Sequence, residues 1–311
     1  MTTALITHSD CLNHLTPSGH PERVARLETI LKRLSSAEFE PLLRVDAPLA
    51  DEAEVLRCHS ADYLTRIKGA IPADGFAALD ADTFVSPGSF TAALRGVGGN
   101  MRAVDMVMTG EAQNAFVACR PPGHHAEKAQ QMGFCLFGNV SIAAKYALDH
   151  HGLDRVAIVD FDVHHGNGTQ DLLWDEGRVR FVSTHQSPLW PGSGALTDKG
   201  GCDNIINLPL PPRSTGRELR MVFENYALPR LDAFAPQMVL ISAGFDAHMA
   251  DPLAELNWGT DDFVWATQQI CDLAETHAGG RVVSTLEGGY DLDALAASTA
   301  AHVQVLMERG S

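Results

Sequence analysis

The stretch of residues 155–170 contains aspartates and histidines at spacings that can support metal chemistry. A β-branched run there predicts a buried strand, and it leads into Asp160, Asp162 and His164. Side chains alternate between the faces of a strand, so these three are expected on one side. Two carboxylates that converge with an imidazole need a cation between them, and this ligand set suits zinc or a similar first-row ion. The alternative is an acidic turn capping the helix that begins near Gly168, but such a cap needs no paired histidines.

Apolar runs alternate with amphipathic stretches along the whole chain. The predicted strands are 4–7, 115–119, 155–160, 179–183, 238–242 and 282–286. A first helix is predicted to begin at Pro21, with Val24, Leu27, Leu31 and Leu34 on one face. Two short helices are predicted within 51–70, and longer ones at 89–109, 138–150, 169–175, 216–233, 260–277 and 291–308. We predict one α/β domain over residues 1–311, with a mainly parallel central sheet and helices on both faces.

The composition limits the classes of function. The chain has 311 residues, 45% of them hydrophobic and 20% charged, with a net charge of −16. That charge argues against nucleic-acid binding, because phosphate contact needs a basic face. No apolar run is long enough to span a membrane, and the six cysteines show no Cys-x-x-Cys spacing. We therefore predict a cytoplasmic protein with no membrane partner and no thiolate-held zinc.

Polar motifs follow most of the predicted strands. They occupy residues 120–125, 184–192, 243–248 and 287–290, besides the stretch after residue 160. The carboxyl ends of parallel strands share one edge of a sheet, so one composite site is expected there. Asp246 would be a third metal ligand, and two Asp with one His would leave a coordination position open for water or substrate.

The remaining polar residues of these motifs suggest roles around such a metal. One of His124 and His125 can act as a general base toward water and the other as a charged partner. Asp160 can orient one of these histidines and Asn167 the other. Tyr290 can donate its hydroxyl to a developing oxyanion, or can simply pack beside the glycine turn.

Five motifs resemble those of the histone deacetylase family: Arg-Pro-Pro-Gly-His-His-Ala (120–126), Gly-Phe-Cys-Leu-Phe (133–137), Asp-Phe-Asp-Val-His-His-Gly-Asn-Gly-Thr-Gln (160–170), Ser-Ala-Gly-Phe-Asp (242–246) and Glu-Gly-Gly-Tyr (287–290). The resemblance begins near His20 and implies an arginase-like α/β fold. Asn167 and the segment 183–186 resemble the class II branch and its bacterial relatives.

The resemblance implies specific roles. Asp162, His164 and Asp246 match the zinc ligands, His125 the general base and acid, and His124 the histidine paired with Asp160. Tyr290 matches the oxyanion donor, and Gly133, Phe134 and Trp190 match the walls of the substrate tunnel. Leu253 falls at the tunnel mouth, Asp82 at its rim, and Arg26 matches the arginine of an internal channel. The resemblance also implies a structural potassium ion, held by groups of Asp160, Asp162, His164, Ser183 and Thr184.

Four functional hypotheses follow from this resemblance. The leading one is a zinc-dependent amidohydrolase that removes acetyl or another short acyl group from the ε-amine of lysine in a peptide or protein. The others are an acetylpolyamine deacetylase acting on a small acetylated amine, an arginase-type hydrolase, and a metal-stabilised scaffold that binds acylated ligands without turnover. Arginases need two manganese ions and a more carboxylate-rich ligand set than this chain supplies. Ferrous iron remains an alternative to zinc, and the sequence leaves the oligomeric state open.

Overall fold

The computed structural model describes residues 2–310, and its strands form one large sheet and one small hairpin. In chain order the strands are β1 (Thr3–Thr7), β2 (Leu43–Asp46), β3 (Ala77–Ala78), β4 (Phe84–Val85), β5 (Asn114–Val117), β6 (Val156–Asp160), β7 (Val179–Gln186), β8 (Ile205–Leu210), β9 (Met238–Ala243) and β10 (Val282–Leu286). The eight-stranded sheet has the order β2-β1-β5-β10-β9-β6-β7-β8, and β3 and β4 form the separate hairpin. Every neighbouring pair in the large sheet is parallel.

Helices connect the strands and flank the sheet. They are α1 (Val24–Arg33), α2 (Glu52–Val55), α3 (Ala61–Gly69), α4 (Ser89–Thr109), α5 (Asn139–Asp149), α6 (Asn167–Leu172), α7 (Gly216–Val222), α8 (Leu228–Phe234), α9 (Thr260–Ala278) and α10 (Leu292–Arg309). Helix α10 packs against both α1 and α9, and α4 packs against α5. The predicted class, one α/β domain with a parallel sheet covered by helices, is confirmed.

The central strands have the composition that a doubly covered sheet requires. All residues of β5, β6, β9 and β10 are buried, as expected where helices cover both faces of a parallel sheet. Their register aligns the carboxyl ends, because Asp160 at the end of β6 pairs with Ser183 on β7 and with Ser242 on β9. The turns after these strands therefore open at one edge.

Helix α4 packs closely against its neighbours at two of its glycines. A Cβ atom at Gly98 would overlap the carbonyl oxygen of Pro48, and one at Gly99 would lie 3.1 Å from the Ala47 Cβ and 3.2 Å from a Val117 methyl group. Only a glycine therefore fits at position 98 without a backbone shift.

None of the helices within residues 2–310 is long and apolar enough to cross a membrane.

Some sequence-based boundaries are wrong. The edge strands β2 and β8 and the hairpin were not predicted, and the single helix expected at 216–233 is divided by a π-helical turn, Phe223–Ala227. Strand β6 ends at Asp160, so Asp162 and His164 lie in the following turn rather than on the strand. The turn, and not strand alternation, determines where these two side chains point.

Candidate active site

Three potential metal ligands converge at the carboxyl edge of the sheet. Asp162 and His164 follow β6, and Asp246 follows the adjacent strand β9. His164 Nδ1 lies 3.2 Å from Asp162 Oδ1 and 3.1 Å from Asp246 Oδ2, and one ligand atom of each residue lies within 4.8 Å of the others. All three side chains are buried. Buried carboxylates that converge with an imidazole fit a divalent first-row cation, so this donor set suits the predicted metal.

Backbone groups hold the two carboxylates in position. Asp162 accepts hydrogen bonds from the N–H groups of His164 at 2.9 Å and Gly288 at 2.8 Å, and Asp246 accepts one from Val163 at 2.9 Å. A Cβ atom at Gly288 would overlap a carboxylate oxygen of Asp246 and lie 2.5 Å from one of Asp162. A glycine is therefore needed where the loop after β10 approaches both ligands.

His124 lies between two carboxylates. Its Nδ1 is 2.9 Å from Asp160 Oδ2, and its Nε2 is 3.7 Å from Asp162 Oδ2. Burial opposes the charged ring, but the carboxylates of Asp162 and Asp160 outweigh it and raise the pKa of His124 well above its usual value. This environment favours an imidazolium, which matches the charged partner expected of one histidine of the pair.

His125 has a neutral partner instead. Its Nδ1 is 2.8 Å from the amide oxygen of Asn167, and its ring centroid is 3.9 Å from that of His124. Burial, followed by the imidazoles of His124 and His164, holds the pKa of His125 well below its usual value. The two adjacent histidines therefore differ in charge preference, and His125 is the one suited to accept a proton.

Tyr290 follows the Gly288-Gly289 turn after β10, and it lines the same pocket as His164. Burial, with the carboxylate of Asp246 as the next cause, raises its pKa well above the usual value, so the phenol keeps its proton. The guanidinium of Arg26 lies 4.9 Å from the Tyr290 ring centroid. Arg26 also donates hydrogen bonds of 2.6 Å to the carbonyl oxygens of Gly289 and Glu287, and so supports the loop that carries the tyrosine.

A pocket opens beside these groups at the sheet edge. Its lining combines apolar walls with imidazole and phenol groups and one carboxylate. The lining residues are Asp82, His125, Gly133, Phe134, His164, Leu189, Trp190, Leu253 and Tyr290. All of these except Leu189 were predicted as site residues. Arg26 does not line this pocket and lies beneath the tyrosine loop, and Asp160 and Asn167 support the two histidines from behind.

The wall formed by Gly133 and Phe134 depends on an unusual backbone. Gly133 has φ +55° and Phe134 φ +68°, both in the left-handed region that favours glycine. A Cβ atom at Gly133 would overlap the His125 ring and lie 2.6 Å from the indole of Trp190. Position 133 thus lies against both rings, which contact each other with centroids 4.7 Å apart, and a larger residue there would displace one of them.

The structure also shows buried carboxylates whose roles the sequence analysis missed. Asp251 accepts hydrogen bonds from the backbone N–H groups of Tyr290 at 2.7 Å and Leu253 at 3.0 Å, and burial raises its pKa to about 7. Glu287 accepts from the N–H of Gly123 at 2.7 Å, and burial raises its pKa to about 7 as well. Glu287 lay within a recognised motif, but a role that acts through backbone N–H donors leaves no spacing signal in the sequence.

The residues predicted to hold potassium lie in the adjoining carboxyl-terminal halves of β6 and β7 and in the turn that follows β6. Asp160 and Ser183 are register partners, and Thr184 Oγ1 lies 3.3 Å from the Asp160 carbonyl oxygen. The Ser183 hydroxyl is 3.0 Å from His185 Nδ1. The structure thus brings this set together, while its occupancy by potassium stays a prediction.

Comparisons with known proteins show the family of this chain. A family model for the histone deacetylase domain matches residues 20–306. The histone deacetylase-like amidohydrolase of Pseudomonas aeruginosa is 39% identical over 88% of this chain and 73% of its own length. Human polyamine deacetylase HDAC10 is 36% identical, and the match covers 99% of this chain and 48% of that protein.

Among solved structures, the HD domain of HDA15 is similar with a TM-score of 0.93 and 32% identity, covering 99% of this chain and 88% of that one. The helix-covered parallel sheet is thus the fold of that domain over nearly the whole chain, and the family match covers the motifs that form the site. The chain belongs to the histone deacetylase family.

Proposed function

We propose that the chain is a zinc-dependent amidohydrolase that removes acetyl or another short acyl group from the ε-amine of lysine. The whole chain would act as one catalytic domain. The observation that carries this proposal is a pocket whose walls include Phe134 and Trp190 and which reaches His125, His164 and Tyr290. A lysine side chain is a slender apolar stem with the acylated nitrogen at its end, so its shape and polarity match that pocket.

The proposed roles follow from the contacts of each side chain. A zinc ion held by Asp162, His164 and Asp246 would supply polarisation of the acyl carbonyl and a lower pKa for a water molecule. His125 accepts a proton from the attacking water and later delivers it to the leaving amine as the amide C–N bond breaks. Tyr290 donates a hydrogen bond to the carbonyl oxygen, which gains negative charge as water adds. The products are a carboxylic acid and the free amine.

Two further ions belong to the proposal. Ferrous iron is the alternative to zinc, because both accept carboxylate and imidazole ligands. Potassium would be structural and would use oxygen atoms of Asp160, Asp162, His164, Ser183 and Thr184. Metal analysis of the purified chain, followed by activity after reconstitution with zinc or iron, separates the two candidates for the active-site ion.

An acetylpolyamine is the second candidate substrate. It is supported by the Asp82 carboxylate in the pocket lining, which can attract a distal ammonium group, and by the polyamine deacetylase among the relatives. Leu253 in the same lining offers no such charge and favours the neutral backbone of an acylated lysine.

The proposed function is tested by comparing kcat/KM for an acetyl-lysine amide with that for N-acetylputrescine and acetylspermidine on the zinc-loaded protein. We expect the lysine substrate to be preferred. A preference for an acetylpolyamine would replace the lysine assignment with the second candidate. Binding of both substrate types without product would favour the non-catalytic scaffold.

A further inference from the structure

The amide group of Asn167 is surrounded by groups that fix which of its ends faces His125. Its oxygen Oδ1 lies 2.8 Å from His125 Nδ1. Its nitrogen Nδ2 lies 2.7 Å from Glu127 Oε1, 3.1 Å from Met132 Sδ and 3.4 Å from the His125 carbonyl oxygen. A carboxylate, a thioether and a carbonyl can only accept hydrogen bonds, so the amide nitrogen is the end that fits among them.

The orientation of this amide determines the tautomer of His125. A neutral imidazole carries one N–H, so Nδ1 can either donate to an amide oxygen or accept from an amide nitrogen. With Oδ1 of Asn167 opposite, Nδ1 must carry the hydrogen, and Nε2 keeps the lone pair that a base needs. If the amide rotated by half a turn, Nε2 would carry the hydrogen instead and could not accept a proton from water.

We propose that Glu127 is a positioning residue that fixes the orientation of the Asn167 amide and thereby keeps His125 in its basic tautomer. This inference rests on the proposed function, because it presumes that His125 accepts a proton. Glu127 does not line the pocket, so it acts through Asn167 rather than on the substrate. It is half-buried two residues after His125, and its backbone is held in place by a 2.9 Å hydrogen bond from its N–H to the Gln130 carbonyl.

A purely structural role for Glu127 predicts different behaviour. A single hydrogen bond from a half-buried side chain contributes little to folding, so replacing it would change the melting temperature slightly and kcat hardly at all. The positioning role predicts the opposite balance, in which kcat falls while KM and the melting temperature stay close to those of the wild type. Lysine is the sharpest replacement, because an ammonium group only donates and would attract Oδ1 of Asn167 away from His125.

The first test therefore compares Glu127→Lys with Glu127→Gln in the zinc-loaded protein. Glu127→Gln retains an oxygen acceptor, so its kcat should remain within a few-fold of the wild type. Glu127→Lys should reduce kcat by about 100-fold, the low end of what a general base contributes, with KM unchanged. Equal activity of the two variants at the wild-type level would overturn the proposal.

A compensating substitution tests the same point independently of any disruption by the lysine. A carboxylate has two equivalent acceptor oxygens and thus no wrong orientation. In the double variant Glu127→Lys with Asn167→Asp, one oxygen can accept from the lysine and the other from His125 Nδ1–H. This double variant should recover most of the kcat that Glu127→Lys loses. A double variant as slow as Glu127→Lys, with normal folding, would contradict the amide-orientation mechanism.

The tautomer itself can be observed without any turnover. In protein labelled with ¹⁵N-histidine, the ring nitrogen shifts of His125 should show the Nδ1–H form in the wild type and the Nε2–H form in Glu127→Lys. If the wild type fails to hydrolyse acyl-lysine but shows this change, the proposed function fails and the positioning role stands. If the wild type is active but its His125 tautomer is the same in both proteins, the positioning role is wrong.

Discussion

The chain has three pairs of adjacent histidines; one contains the proposed metal ligand His164, and the other two each lie beside an aspartate in different surroundings. His124 and His125 are buried at the carboxyl edge of the sheet, and each Nδ1 has its own partner, at 2.9 Å and 2.8 Å. His150 and His151 follow helix α5 at the surface, where His151 Nε2 lies 2.8 Å from Asp105 Oδ1. Both neighbourhoods also contain three side chains close enough to hold a metal ion, so residue type alone does not distinguish them.

The differences lie in burial and in how the partners are distributed. At the surface, Asp105 Oδ1 also accepts a hydrogen bond of 3.0 Å from the Tyr146 hydroxyl, and the His150 ring stacks on Tyr146 with centroids 4.6 Å apart. One carboxylate oxygen thus serves two donors. In the buried pair, the carboxylates of Asp162 and Asp160 raise the pKa of His124 despite its burial, whereas burial and the imidazoles of His124 and His164 lower the pKa of His125. In a desolvated site, nearby carboxylates for one ring and nearby imidazoles for the other therefore give two identical side chains different charge preferences.

Removing a ligand should show the largest difference between the two metal-capable clusters. Asp162→Ala should lose the tightly bound ion and all measurable hydrolysis, because a site with three protein ligands cannot retain its metal with two. The matched variant Asp105→Ala should keep one ion per chain and full activity. Metal content after desalting, measured beside turnover, checks both. Retention of the ion by Asp162→Ala, or its loss from Asp105→Ala, would reverse the assignment of the metal site.

Replacing single histidines of the two pairs should give the next largest effect on kcat. His125→Ala should reduce kcat by roughly 100- to 10,000-fold, the contribution typical of a general base. His124→Ala should cost less, because that ring acts through its charge, and His151→Ala should leave kcat unchanged. Steady-state kinetics of the three variants at equal metal content tests this order. A larger loss in His124→Ala than in His125→Ala would exchange the two roles.

Tyr290 and Tyr146 lie near the two histidine pairs, and removing the hydroxyl of each allows their effects on kcat to be compared. Tyr290→Phe keeps the ring but removes one donor to the oxygen that becomes charged, so kcat should fall by roughly 100- to 1,000-fold with little change in KM. Tyr146→Phe removes the hydroxyl that binds Asp105 and should leave catalysis intact. An unchanged kcat in Tyr290→Phe would mean that its hydroxyl serves packing alone.

The meeting of the candidate site residues at one edge of the sheet could be predicted from the sequence, because parallel strands place their carboxyl ends there. Motifs far apart in the chain, such as those ending at His125 and at Tyr290, can therefore be assigned to one pocket from their positions after strands alone. Edge strands were harder to predict. β8 contains Pro209, which argues against a strand in general but is tolerated at a sheet edge, and β2 has only four residues.

Interactions made through backbone groups and side-chain amides could not be predicted from the sequence either. Asp251 binds the N–H of Tyr290, and Glu127 binds the amide of Asn167, and neither contact has a characteristic spacing. The turn that carries Asp162 departs from strand geometry, so the alternation rule did not apply to it. Such details depend on how loops meet in three dimensions.

The smallest expected effect concerns substrate choice at Leu253, the predicted tunnel-mouth residue. Leu253 lines the pocket, as does Asp82, which already supplies one carboxylate there. A second carboxylate would attract the distal ammonium group of a polyamine, and a partly desolvated charge pair is commonly worth a factor of about ten in selectivity.

Leu253→Glu should therefore narrow or invert the ratio of kcat/KM for acetyl-lysine amide to that for acetylspermidine. Leu253→Gln is the matched control, because it has nearly the same size and shape as glutamate without the charge, and it should leave the ratio near that of the wild type. Side-by-side kinetics at low salt, where a charge effect is largest, makes the comparison. If both variants change the ratio equally, the shape of the mouth rather than its charge selects the substrate.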